Sequence, residues 1–150
     1  MRKSTGKDIA IASDHGGFEL KRHLVKYLLK QGHAVIDLGP RGRASVDYPD
    51  YARRVAEAVA AGEIPLGILL CGTGIGMSIV ANRYRGVRAA LAHDTYTARL
   101  AKAHNNANVL VLGGRVTGPG LAEEIVDTWL KTRFEGGRHQ RRVNLVDGEC

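Results

Sequence analysis

At 150 residues, with 44% hydrophobic and 25% charged residues, the chain has the size and composition of one globular domain able to bury a core. The formal net charge of +7 calls for an anionic partner or substrate. Only 5% of residues are aromatic and no basic stripe alternates with aromatics, which argues against nucleic acid. Two cysteines, Cys71 and Cys150, make no disulfide framework and point to a reducing compartment. The basic start MRKSTGKD is followed by too short an apolar run for a signal peptide or a membrane span. A cytoplasmic protein with no membrane partner is expected, loose over its first seven residues and its last few.

Ile9 to Ala12 reads as a first strand, followed by Ser13-Asp14-His15-Gly16-Gly17. The helix after it carries Leu20, Leu24, Tyr27 and Leu28 on one face and stops at Gly32. Ala34 to Ile36 is a second strand, and residues 39–48 are a polar, glycine-containing loop. Pro49 opens a helix over Tyr51 to Ala61, closed by Gly62. Leu66 to Leu70 is a short apolar run of the kind buried in a parallel sheet. It leads through Cys71-Gly72-Thr73-Gly74-Ile75-Gly76 into helical spacing from Met77. Val87 to Ala92 is a fourth strand, ending at His93-Asp94. Asp94 or Thr95 caps a helix that runs to about Ala103. Val109 to Leu112 is a fifth strand, ending in Gly113-Gly114-Arg115. Pro119 opens the last helix, with Leu121, Ile125 and Trp129 on one face, Val126 and Leu130 beside them, and Gly136-Gly137 as its end. From Arg138 the chain reads as a polar tail with a short apolar patch at Val143 to Val146.

Strands and helices alternate five times, which predicts a parallel sheet covered on both faces. Ligands of such sheets bind beyond the carboxyl ends of the strands. Asp14 and His15, Cys71 to Gly76, His93 and Asp94, and Arg115 all follow strands. The glycine loop brings several N–H groups to one point beside a helix start, where an anion or a developing oxyanion is stabilised. Cys71 lies at its edge, in a setting that favours the thiolate, so it is a candidate nucleophile or base. The same cysteine also suits a small buried hydrophobe.

The spacing Gly72-x-Gly74-x-Gly76, with Asp94 some twenty residues on, approaches a dinucleotide fingerprint, but it follows the third strand instead of the first. There is no GxSxG elbow and no GxxxxGK[ST] loop, which removes two common hydrolase classes. No CxxC or HxxxH pair predicts a metal. His15, His104 and Asp14 stand at element ends, where helix caps are common. Arg138 and Arg142 are four apart and fork onto one phosphate if that turn is helical; otherwise they belong to a solvated basic tail.

SDHGGFELK at 13–21, DYPDYA at 47–52, CGTGIGMSIVANR at 71–83, HNNANVLVLGGR at 104–115 and EGGRHQRRV at 135–143 together resemble ribose-5-phosphate isomerase type B. The wider group includes allose- and galactose-6-phosphate isomerases. The resemblance runs from about Asp8 to Val146. It implies a three-layer α/β/α sandwich with a five-stranded parallel sheet of order 2-1-3-5-4. It also implies a homodimer, in some members a dimer of dimers, with active sites across the subunit interface. No metal and no organic cofactor are implied. Cys71 matches the family's cysteine base and Thr73, with the glycine loop of Gly72, Gly74, Ile75 and Gly76, its oxyanion site. His104 matches the ring-opening acid. Asp14, His15 and Asn105 match sugar-binding positions, and Arg115, Arg138 and Arg142 positions for ligand and phosphate. Some members place a glutamate base where this chain has Met77, which takes no proton, so the chain resembles the cysteine branch. A non-catalytic sugar-phosphate sensor and a cysteine hydrolase or transferase are the alternatives from other classes.

Overall fold

The structure, a computed structural model, describes residues 8–148. Five strands form one sheet: β1 (Asp8–Ser13), β2 (Ala34–Asp37), β3 (Leu66–Cys71), β4 (Ala89–Leu91) and β5 (Val109–Gly113). All pairs are parallel and the order is β2-β1-β3-β5-β4, as the resemblance implies. Helices α1 (Phe18–Lys30), α2 (Tyr48–Ala60), α3 (Ile75–Ala81), α4 (Thr95–Ala103), α5 (Pro119–Lys131) and α6 (Arg138–Val146) complete the chain, with a short 3₁₀ turn over His15–Gly17.

Alternation along each strand creates the layers, because successive side chains leave a strand on opposite faces. Ile9, Ile11, Ile68, Leu70, Leu110 and Leu112 face Leu20, Leu24 and Leu28 of α1 and Ile125, Val126 and Trp129 of α5. Ala10, Ala12, Leu69, Val109 and Val111 face Val55 and Val59 of α2 and Met77 of α3. Each fully buried leucine or isoleucine contributes about 1.5–3 kcal/mol of transfer free energy. Trp129 donates its indole N–H to the Ala107 carbonyl at 3.1 Å, and the Lys102 ammonium sits 4.3 Å from its ring.

The elements agree with the periodicity except in four places. β4 is shorter than Val87 to Ala92. The Asn82 side chain caps its outer edge, accepting from the Ala89 N–H at 2.8 Å and donating to the Ala89 carbonyl at 3.0 Å, so the sheet ends there. On α5, Ala122 takes the inward position and Leu121 is 42% exposed. The same helix stops at Lys131, because Thr132 turns extended and both its N–H and hydroxyl donate to the Thr128 carbonyl. Finally, residues 138–146, expected as a tail, form helix α6, which buries His139 and Val143. The expected looseness of residues 1–7 and the position of Cys150 lie outside the described residues.

Candidate active site

β1 and β3 are neighbours, and the chain leaves them toward opposite faces of the sheet, so a crevice opens between their carboxyl ends. Three loops meet there. The Asp14 N–H donates to the Leu70 carbonyl at 3.1 Å, and its buried carboxylate accepts from the Gly17 N–H at 3.1 Å. Asp14 thus caps the 3₁₀ turn that leads into α1. After β5, the Gly114 N–H donates to the Cys71 carbonyl at 2.8 Å and the Arg115 N–H to the Gly72 carbonyl at 3.0 Å. The backbones approach so closely that a Cβ on Gly114 would lie 2.6 Å from the Gly16 carbonyl oxygen. The Arg115 guanidinium lies over Gly72.

Cys71 ends β3 and is 5% exposed. Its Sγ accepts from the Gly74 N–H at 3.0 Å, and the Thr73 hydroxyl accepts from the Ile75 N–H at 3.3 Å. Gly74 holds φ at +85°, a left-handed conformation that β-carbon-bearing residues avoid. It is what folds the loop back so that its N–H meets the sulfur. Thr73 and Ile75 are exposed at the mouth, and the face of Gly76 is covered by the Tyr48 ring. His15 is exposed, and its Nδ1 accepts from the Val46 N–H at 3.2 Å.

The remaining predicted site residues lie elsewhere. In a parallel α/β sheet each helix runs back against its strand, so the end of α4 lies at the amino edge of the sheet. The Gly67 N–H donates to the Asn108 carbonyl at 2.9 Å, four residues before Cys71 on β3. About 13 Å of strand therefore separates that level from the thiol, at about 3.3 Å per residue. His104 and Asn105 stand at this amino edge. His104 Nε2 lies 3.7 Å from Glu135 Oε2, and its ring stacks on His139 with centroids 4.1 Å apart. Arg138 and Arg142 are exposed on α6, one helical turn apart. The far end of α6 is tied down by Arg88 and Asp147 at 3.0 Å. Asn105 and Arg142 line a cavity of about 580 Å³ with Arg83, Arg85 and Val146. A larger cavity, about 930 Å³, lies between β2 and α2, away from every predicted site residue. Among the described residues no hydrogen bond, ion pair or ring stack joins the His104 group to the Cys71 group.

His139 was not predicted. It is 6% exposed. Burial and the neighbouring His104 and Arg138 hold its pKa below the ordinary histidine value. Its adjacency to Arg138 and its position on the inner face of a helix were the signals available. His104, Glu135 and His139 are the one group of possible metal ligands among the described residues. The stacked rings are nearly parallel, at 11°, so their in-plane lone pairs do not converge on an ion about 2 Å from each nitrogen. Asp94, which stands at the distance of a dinucleotide site's ribose contact, caps α4, one of the two residues expected to do so. Its Oδ1 accepts from the Thr97 N–H at 2.7 Å and the Thr97 hydroxyl at 2.8 Å, which lowers its pKa.

A Ribose/Galactose Isomerase family model matches residues 9–146. The chain belongs to the ribose/galactose isomerase family. Ribose-5-phosphate isomerase B of Escherichia coli is 50% identical over 140 residues, covering 93% of this chain and 94% of that one. The solved structure of a ribose 5-phosphate isomerase from Thermotoga maritima superposes with a TM-score of 0.93 at 57% identity, covering 95% of this chain and 98% of that one. The Clostridium thermocellum ribose-5-phosphate isomerase B structure gives 0.93 at 53% identity, covering 94% and 95%. Met77, which takes no proton, is completely buried beside the loop. Among the described residues no helix is long and apolar enough to cross a membrane.

Proposed function

We propose that this protein is an aldose–ketose isomerase that interconverts ribose 5-phosphate and ribulose 5-phosphate, with Cys71 as the base. The observation that carries the reading is a thiol held at the floor of a glycine loop, with a backbone N–H aimed at its sulfur and a guanidinium over the next residue, Gly72. The reaction removes a proton from C2 of the open sugar and returns it at C1 through an enediolate. A thiolate at Cys71 takes and returns that proton. The Thr73 hydroxyl and the loop N–H groups hold the oxyanion that develops on the neighbouring carbon. One such donor is worth about 10²–10³ in rate, and a well-placed base about 10²–10⁴. Arg115, Asp14 and His15 hold the sugar.

Ring opening needs a proton donor, and the phosphate needs a cationic cradle. His104 suits the first role and Arg138 with Arg142 the second. In one chain these groups lie at the opposite edge of the sheet from Cys71. We therefore infer a homodimer in which each chain's amino edge completes the other chain's carboxyl edge. The exposed Ile75, Ile79, Tyr96 and Val146 are apolar surface for such a contact. A free, unoxidised thiol suits a reducing compartment, and we assign the protein to the cytoplasm.

The test is turnover of ribose 5-phosphate by purified protein with chelator present, following ketopentose phosphate. Turnover above that of allose 6-phosphate supports the pentose reading. Turnover of the hexose alone would replace the substrate, and binding of both without turnover would make the protein a sensor.

A further inference from the structure

Lys21 is 1% exposed, on the inner side of α1. Its ammonium uses all three donors: Asp37 Oδ1 at 2.8 Å, Asp37 Oδ2 at 3.1 Å and the Pro40 carbonyl at 2.6 Å. The same Asp37 Oδ1 accepts from the Gly39 N–H at 2.9 Å, and the Gly39 carbonyl accepts from the Ser13 N–H at 3.0 Å. The start of the loop after β2 is thereby fixed to the end of β1, one residue before Asp14. Residues 41–45 are all exposed. Between its ends the loop is tied to α1 through the exposed Arg43, which pairs with Glu19 and lies 5.7 Å from the Phe18 ring centroid, so its buried anchors are at its ends. Its other end is Val46, whose N–H donates to His15 Nδ1. That bond makes Nδ1 an acceptor, so the neutral ring carries its proton on Nε2.

We propose that Lys21 is a positioning residue for His15, acting through the loop from Gly39 to Val46. The buried ammonium sets where the loop leaves the sheet, the loop presents the Val46 N–H, and that N–H orients the imidazole. His15 then offers Nε2–H as a fixed donor to an oxygen of the substrate. This rests on the reading of His15 as a sugar-phosphate-binding residue, and the experiment separates the two.

Steady-state kinetics with ribose 5-phosphate are measured for Lys21→Met, Val46→Pro, His15→Ala and the Lys21→Met/His15→Ala double variant. The ¹⁵N signals of the His15 ring are recorded alongside. Val46→Pro removes the N–H, and restricts the local backbone, at a surface loop far from the buried ammonium, so it tests the last link even if Lys21→Met does not fold. The expected result is a KM raised about tenfold in each of the two positioning variants, the scale of one hydrogen bond to an ordered group, with kcat within about twofold. The Nε2-protonated signature of His15 is lost in both, and Lys21→Met raises KM no further in the His15→Ala background. A normal KM in His15→Ala would remove the reading of His15 and the proposal with it. A raised KM in His15→Ala with a normal KM in Lys21→Met or Val46→Pro would overturn the positioning role alone. Equal fold-changes from Lys21→Met in both backgrounds would make Lys21 a merely structural residue.

Discussion

The two edges of the sheet carry the candidate residues in different ways. At the carboxyl edge, Cys71, Asp14 and Arg115 are locked by backbone bonds between three loops, and Cys71 and Asp14 are buried. At the amino edge, His104 is half-buried and Glu135, Arg138 and Arg142 are exposed; one backbone bond, from the Glu135 N–H to the Ala103 carbonyl, ties the segment down, and His104 meets Glu135 and His139 through side chains. The first arrangement is that of a rigid centre where atoms must be placed within a fraction of an ångström. The second is that of a surface ready to be covered. On the proposed function, a site divided in this manner is completed where the carboxyl edge of one chain meets the amino edge of another.

The largest effect belongs to the carboxyl edge. Cys71→Ala is expected to lower kcat by about 10⁴ or more, at the top of the range for a general base, with circular dichroism and Tm close to those of the unchanged protein. Retained turnover in a folded variant would remove the base from that edge. Next comes the proposed phosphate cradle. Arg142→Ala removes a charge-assisted contact worth about 1.5–3 kcal/mol, which is a rise of about 10- to 150-fold in KM for ribose 5-phosphate. A kcat loss without a KM change would place Arg142 at the chemistry instead.

A smaller effect distinguishes the edges by pH. Because the folded pKa of His139 lies below its ordinary value, the unfolded chain binds the proton more readily. The His139 contribution is complete above the ordinary histidine pKa of about 6.5 and is lost as pH falls from there toward the lower folded value. Tm measured from pH 7.5 down to pH 5 should fall more steeply in the unchanged protein than in His139→Gln. Parallel curves would show that docking of α6 does not depend on this histidine. The smallest effect lies at neither edge. Tyr27 donates its hydroxyl to Asp127, joining α1 to α5, and that bond with burial raises its pKa to about 12. Tyr27→Phe should cost about 1 kcal/mol, or about 2–4 °C in Tm at this chain length. Its kcat/KM should be unchanged; a fall would mean that core stability and the site are coupled.

Much of this was legible from residue patterns. The apolar run into Cys71 and the three glycines after it predict a strand, a loop and a helix, and the loop closes on the sulfur as a result. Arg138 and Arg142 are four apart, and the turn that carries them is helical. Other features were hidden for physical reasons. α6 has no side-chain cap, it buries only His139 and Val143, and its other apolar residues, Leu145 and Val146, are exposed, so no apolar face marks its helical period. Lys21 is charged, and its burial depends on Asp37, sixteen residues away, and on a carbonyl nineteen away. The separation of His104 from Cys71 had a signal: a residue that precedes a strand of a parallel sheet and a residue that ends one stand at opposite edges.

The most direct test of the divided site is hybrid complementation. Cys71→Ala and His104→Ala chains, each inactive alone, are unfolded together, refolded and assayed with ribose 5-phosphate. A site shared between chains gives hybrids in which one of the two sites has both residues, and about a quarter of normal turnover returns in a statistical mixture. If hybrids form, as native mass spectrometry will show, and no turnover returns, Cys71 and His104 act from the same chain and the account of the two edges is wrong.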